Sequence, residues 1–342
     1  MPHEEILAKL EKYIEMLRTQ VDFVSILMVR KRSLDIITTN PWISYSNGFL
    51  VTVINSGGVG YFSVPDIKKI PEAFRSAKHL ADQGSHLYTC NYSDIEFSQN
   101  RGYYETPLVS SFTNIEEHDY DLLQILQGTM MATKGVTKAE ASLERSEKTL
   151  IFVSSAGAAQ VQVIHSTCPT LMARASHKNH FQTRTYTSPR QEGWTEAFED
   201  QLTLNAERIA EEAVMLAKAP QCPTGTMQLV LKSEMMVLQV HETIGHPLEL
   251  DRILGDERNF AGTSFVKLSD FGNLRYGNDN LNISIDPFMQ REIGASAYDS
   301  EGSPVKRLSI IKDGVVKSGI GGASCRATAP VWARRQTPRR RP

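Results

Sequence analysis

Residues 241–251 read His-Glu-Thr-Ile-Gly-His-Pro-Leu-Glu-Leu-Asp. Two imidazoles with a carboxylate beside the first are the parts of a hydrolytic zinc site. The imidazoles hold the metal, the metal lowers the pKa of a bound water, and the carboxylate takes that water's proton. In the helical form of this motif, H-E-x-x-H, the histidines stand four apart on one face. Here His241 and His246 are five apart. At about 100° per residue, five helical steps turn the side chains roughly 140° from each other. An ideal helix would therefore not aim both at one metal. Two local features answer this. Gly245 can take backbone angles closed to other residues, and Pro247 pushes His246 toward extended geometry, so that the helix ends and His246 swings back. Widening of the last turn to a π-type turn would also bring five-apart residues together. Glu249 is the local candidate for a third ligand, or for a carboxylate that orients a histidine. On spacing alone, a chance His-Glu pair with satisfied imidazoles at a helix end is the competing reading.

A catalytic metal needs its ligands on rigid elements. The sequence predicts a strand over Met227–Leu231, then a helix capped by Ser233 that delivers His241 and Glu242. The apolar run Val237-Leu238-Gln239-Val240 is expected to bury that helix. Before it, Glu196–Ala219 has apolar residues at three-and-four spacing and predicts a long packing helix, ended by Pro220 and Pro223. Nearer the start, helices are expected over residues 4–18, 70–82 and 119–131. Strands are expected over Val24–Val29, Phe49–Val53 and Val59–Val64, the last two joined through Asn55-Ser56-Gly57-Gly58. Residues 84–113 read as irregular, and 141–173 as several strands with polar turns. His177 and His180 lie in a polar, basic stretch that reads as a solvated loop rather than a ligand pair. Beyond the motif, Phe265–Leu268, Leu281–Ile285 and Val305–Ile311 read as strands separated by Gly, Asn and Asp turns.

The longer string His241–Gly262, HETIGHPLELDRILGDERNFAG, resembles the TldD/PmbA family of metalloproteases, also described as modulators of DNA gyrase. The TldD-type branch carries H-E-x-x-x-H, an acidic Leu-containing segment, and a Ser/Asn-Phe-Ala-Gly element that reads Asn259-Phe260-Ala261-Gly262 here. The segment AEEAVMLAKAPQCPTG resembles the family's lead-in to the metal domain. Tyr298-Asp299-Ser300-Glu301-Gly302 resembles its D-D-E-G segment, where Asp299 and Glu301 would orient ligands or substrate; an exposed acidic turn is the alternative. Lys312-Asp313-Gly314-Val315-Val316 fits the hairpin that follows.

The resemblance implies an α+β fold: an N-terminal mixed helix and sheet domain, residues 1–220, then a mostly antiparallel β domain carrying the metal-site helix, residues 221–317. It implies zinc-dependent hydrolysis of peptides or unfolded protein segments. His241 and His246 would bind Zn2+, and Glu242 would be general base to the metal-activated water and then proton donor to the leaving amine. The implied partners are the peptide substrate and a second subunit, in a homodimer or a heterodimer with a related family member. The alternative function is that of a non-catalytic partner subunit or a truncated, inactive member. A gyrase-interacting regulator is a third reading that rests only on the family's older description.

The family's third ligand is a cysteine in the last part of a longer chain, and Cys325 lies too early to be carried over as that ligand. From about Ser318 the resemblance stops. After Cys325 there are six arginines, three prolines and no acid, a composition break that reads as an aberrant basic tail over 318–342. The expectation is that the natural C-terminal continuation has been lost. Lys and Arg number 37 against 39 Asp and Glu, a net charge of −2, so charge gives no sign of direct nucleic-acid binding. No apolar run is long enough to span a bilayer. The start lacks the basic and apolar regions of a secretory signal. The four cysteines form no C-x-x-C pair, which fits reduced thiols in a cytoplasm.

Overall fold

In the computed structural model, residues 2–37, 40–86, 95, 97–106, 117–191 and 196–322 are described. The first part of the chain forms α1 (His3–Leu17), β1 (Phe23–Ile37), β2 (Asn40–Asn55), β3 (Gly58–Val64) and α2 (Ile70–Gly84). Then come β4 (Arg101–Glu105), α3 (Glu117–Ala132), β5 (Val136–Ser154), β6 (Ala159–His177), β7 (His180–Thr187) and α4 (Glu196–Lys218). The strands make one sheet in the order β3-β2-β1-β5-β6-β4, with β7 also on β6. Only β4 runs parallel to its neighbour.

Side chains alternate across a strand, so residues two apart share a face. On one face, Val24, Ile26 and Met28 of β1, Ile151 and Val153 of β5, and Val161 and Val163 of β6 meet α1 and α2. Farther along the same face, Leu34 and Ile36, Ala141 and Leu143, and Leu171 and Ala173 meet α3 and α4. Between these two cores the same face carries Arg32, Arg145, Glu147, Thr149, His165 and Thr167. Arg145 is 3% exposed and donates from Nη2 to Asp119 Oδ1, itself fully buried, at 2.5 Å. Glycine sets one close approach: a Cβ on Gly60 would lie 1.9 Å from the Ala77 carbonyl oxygen, so β3 and α2 touch backbone to backbone.

Several expectations change here. The 141–173 stretch is not several strands. It belongs to two 19-residue strands, β5 and β6, joined at Ser155–Ala158. The polar residues read as turns are the belt between the two cores. Residues 101–105, expected to be irregular, form β4 against Ala159–Val163. His177 and His180 face each other across a tight β6–β7 hairpin rather than lying in a loop.

After α4 the chain passes residues 219–232 without regular structure. It then forms α5 (Ser233–Val240), a π turn (His241–Gly245), a 3-10 turn (His246–Leu248), α6 (Leu250–Leu254) and α7 (Arg258–Ala261). Strands β8 (Ile283–Ile285), β9 (Leu308–Lys312) and β10 (Val315–Val316) form an antiparallel sheet in the order β10-β9-β8. Met227–Leu231 is therefore not a strand. Leu229 is 77% and Val230 90% exposed, and an apolar run becomes a strand only where a neighbour takes its backbone bonds. Phe265–Lys267 is also irregular, and Leu268–Asp270 is a 3-10 turn. Much of the region is turns tied by Asp and Asn side chains, as where Asp299 Oδ1 accepts from the Glu301 and Ser303 amides. Its core is small: Ile244, Leu248, Val266, Ile310, Ile311 and Val316.

This region docks on the sheet face opposite the helices. Gln162 Oε1 accepts from the Ala297 and Tyr298 amides at 3.1 Å, and Gln160 Nε2 donates to the Gly302 carbonyl at 2.6 Å. A Cβ on Gly302 would strike the Phe152 ring at 2.4 Å. No described helix is long and apolar enough to cross a membrane.

Candidate metal centre

The geometry at the motif begins with a change of helical pitch. Helix α5 runs to Val240, and then the His246 amide donates to the His241 carbonyl, five residues back. A five-residue turn brings residues 241 and 246 into line where an α-turn would not. Their ring centroids are 4.3 Å apart. Ligand atoms of His241, Glu242 and His246 all lie within 4.8 Å of one another.

Two side chains hold the widened turn. The Thr243 hydroxyl donates to the Gln239 carbonyl at 2.5 Å. The Tyr276 hydroxyl donates to the Thr243 carbonyl. In a continuing α-helix the donor to that carbonyl would be residue 247, a proline with no N–H, so a side chain from 33 residues away takes its place. Burial pushes the Tyr276 hydroxyl above its ordinary pKa, which keeps it a donor.

The π widening was one of the two routes open in the sequence; the other is corrected. His246 does not swing into extended backbone. It keeps φ −57° and ψ −44°, and Gly245 is right-handed as well. Pro247 sits at the start of the next 3-10 turn, where its missing N–H is not needed. Two further expectations fail. Ser233 does not cap α5, since Lys232 holds the cap position and no side chain caps the end. The run before the motif is not buried either: Val237 is 70% and Leu238 58% exposed.

The two imidazoles differ in support. His246 Nδ1 lies 3.0 Å from Glu249 Oε1, and Arg252 Nε donates to Glu249 Oε2 at 2.6 Å. Arg252 Nη1 also donates to the Ala261 carbonyl at 3.2 Å, tying this brace to the Asn-Phe-Ala-Gly element. Arg252 Nη2 also lies 3.2 Å from His246 Nδ1. Nδ1 is thus engaged by this brace, and Nε2 is the nitrogen left for a metal. His241 has a looser neighbour, Glu242 Oε1 at 3.5 Å from its Nδ1, with both side chains more than half exposed. Imidazole nitrogens are donors of the kind zinc takes, and here two of them stand with a carboxylate beside them at this spacing.

Glu249 thus stands beside His246 and not among the grouped ligand atoms. Asp299 and Glu301 lie on the docked turn and are not among those grouped atoms. Cys222 is exposed in the stretch after α4; Cys325 and the tail from residue 323 lie outside the described residues, as does Cys90. Among the described residues, the 241–246 group is the only one of three or more His, Cys, Asp or Glu brought close enough to hold a metal. Sequence reasoning missed Arg252 and Tyr276. The three-residue spacing from Glu249 to Arg252 was a signal for the first; nothing local points to the second.

Comparison with known proteins adds the lineage. Residues 224–322 match the family described as the PmbA/TldA metallopeptidase C-terminal domain. A metalloprotease of Methanocaldococcus jannaschii is 30% identical over 106 residues, 31% of this chain and 22% of that protein. A metalloprotease of Archaeoglobus fulgidus is 31% identical over 113 residues, 33% of this chain and 24% of that protein. The match thus spans less than a quarter of either relative. Fold similarity reaches much farther. The crystal structure of a candidate modulator of DNA gyrase from Bacteroides thetaiotaomicron covers 96% of this chain and 74% of its own, with TM-score 0.67 and 12% identity. TldE from Thermococcus kodakarensis covers 91% and 69%, with TM-score 0.60 and 14% identity. The relatives matched in sequence are named metalloproteases, so the family is one of metallopeptidases. Residues 224–322 are thus similar in sequence to the PmbA/TldA metallopeptidase C-terminal domain, and nine-tenths of the chain is similar in fold to solved structures of the modulator of DNA gyrase and TldE kind.

Proposed function

We propose that this chain is a zinc metallopeptidase acting on extended or unfolded peptide segments, with His241 and His246 as metal ligands and Glu242 as the general base. The observation that carries the reading is the π turn, which gathers these three side chains at ligand spacing. When bound, zinc would supply Lewis-acid polarisation of the scissile carbonyl and acidify the attacking water. The chain's own residues do the rest. Glu249, braced by Arg252, holds the His246 ring with Nε2 free. Glu242 takes the proton from the water that attacks the carbonyl carbon, and returns it to the nitrogen of the leaving amine. Tyr276 and Thr243 keep the turn from relaxing to an α-helix, in which His241 and His246 would point apart.

The same spacing favours one second reading. Glu242 has a ligand atom within the 4.8 Å group, so it can serve as a third ligand in place of a base. The protein would then bind metal without hydrolysing peptides. One experiment separates the two: zinc content by elemental analysis and hydrolysis of an unfolded protein, for the native chain, His241→Ala and Glu242→Gln. The expected result is about one zinc per chain in the native protein and in Glu242→Gln, and none in His241→Ala. Hydrolysis should be lost in both variants. Loss of zinc in Glu242→Gln would favour the second reading, and a native chain without zinc would end both.

A further inference from the structure

A cleft of about 480 Å³ opens beside Glu242, walled by Pro247, Phe265, Leu274 and Tyr276, with Arg275 at its rim. Apart from Glu242, its polar side chains are already engaged elsewhere. The Tyr276 hydroxyl is bound to the Thr243 carbonyl, and the Thr243 hydroxyl to the Gln239 carbonyl. Arg275 Nη1 donates to Asp279 Oδ1 at 2.7 Å and to the Gly277 carbonyl at 3.3 Å. What faces the cleft is therefore apolar: the proline ring, the leucine, and two aromatic rings with centroids 6.0 Å apart. Phe265 is 67% exposed, a large apolar ring left in water at the edge of a catalytic carboxylate. An acidic occupant would find its one cation occupied. Apart from Glu242, the wall offers a polar occupant no side chain that is not already bonded.

We infer that this cleft is a specificity subsite that takes a large apolar side chain, of the leucine, methionine or phenylalanine kind, from the peptide residue next to the scissile bond. The inference rests on the proposed peptidase reading, because Glu242 joins the cleft to the reacting bond. Burying such a side chain contributes about 1.5–3 kcal/mol relative to leaving it exposed. That is a discrimination of roughly tenfold or more over serine or aspartate at the same position.

The test uses the full chain and fluorescent pentapeptides that differ only in the central residue: leucine, phenylalanine, serine or aspartate. Binding to metal-stripped protein is read by fluorescence anisotropy, and cleavage is read separately after zinc is added. Leucine and phenylalanine peptides should bind roughly tenfold or more tighter than the other two. Phe265→Ala should reduce that ratio several-fold, and Phe265→Leu should restore most of it. Because Phe265 is exposed, its truncation leaves the core in place; circular dichroism checks this. Equal binding of all four peptides would overturn the inference. So would a preference that Phe265→Ala leaves untouched. If Phe265→Ala shifts the association state by sedimentation but not the preference, the cleft is a contact between chains and the inference also falls. An apolar preference without zinc-dependent cleavage would keep the subsite and remove the peptidase reading; cleavage without preference would do the reverse.

Discussion

The two parts of this molecule are built to different densities. Along β1, β5 and β6, side chains such as Ile26, Met28, Ile151, Leu143 and Ala173 are at most 1% exposed, and four helices cover one face of the sheet. From residue 227 to 265 the pattern inverts: Val230, Val237, Leu238, Phe260 and Phe265 are all more than half exposed. The only residues of this stretch in a buried cluster are Ile244 and Leu248, which lie within or just after the widened turn. The first part is held by burial, which is non-directional and tolerates sequence change as long as volume and pattern persist. The second is held by directed bonds: Tyr276 to Thr243, Glu249 to His246, and Arg252 to Glu249. Directed bonds need particular residues. The match to the family model falls in this second part, residues 224–322, while the fold persists across the chain at 12–14% identity. Changes in the first part should therefore move stability and leave metal binding alone, and changes in the second should do the opposite.

The largest effect is expected at Asp119. Its carboxylate is fully buried against Arg145, and removing one partner of such a pair strands the other charge. Asp119→Ala should cost about 3–5 kcal/mol in urea denaturation. The zinc bound per folded chain should not change. A cost below about 1 kcal/mol, or zinc loss in step with unfolding of the sheet, would erase the contrast between the two parts.

Next is the brace on His246. Glu249→Ala should weaken metal affinity by about 10–100-fold, measured by competition with a chromophoric chelator. The melting temperature of the metal-free protein should stay where it was, because Glu249 supports no core. Arg252→Ala should act in the same direction, through the loss of its bond to Glu249. Unchanged or tighter affinity in Glu249→Ala would show that the carboxylate does not hold the ring.

The candidate metal-site residues were legible in the sequence and their surroundings less so. His241, Glu242 and His246 are contiguous, and their five-residue spacing already demanded either a swing or a π turn. The choice between these depended on Tyr276, which is brought in by the fold. The helices were legible because α1, α2 and α4 each carry an apolar stripe at helical spacing. The long strands were not: the belt of Arg145, Glu147, Thr149, His165 and Thr167 interrupts the apolar alternation where two cores meet, and it imitates a set of turns. Pro169 adds to the effect, although it sits inside β6 opposite Leu143. Residues 101–105 carry no apolar alternation, so β4 follows from its pairing with β6 and not from its own composition. Met227–Leu231 erred the other way, with the composition of a strand and no strand beside it.

The smallest effect sharpens the claim that burial, not surface charge, holds the first part. Asp82 on α2 accepts from Asn55 Nδ2 at 2.6 Å and from Lys78 Nζ at 2.7 Å, joining the helix to the β2–β3 turn. The bond from Lys78, then that from Asn55, holds its carboxyl below the ordinary value of 3.8. A carboxylate whose pKa is depressed by folding stabilises the folded state above its unfolded pKa, and that contribution fades as pH falls through the folded value. The advantage of the native chain over Asp82→Asn should therefore be complete at neutral pH. It should shrink once pH falls below about 4 and vanish below the depressed value. Because the Lys78 and Asp82 side chains are 31% and 40% exposed, solvent screens the pair, and the whole advantage should stay within about 1 kcal/mol. It should shrink again in molar salt. Urea denaturation of both proteins at neutral and acid pH reads it directly. A neutral-pH loss of several kcal/mol in Asp82→Asn would mean that charge at the surface, and not the apolar contact of α2 with β3, fixes this corner of the sheet.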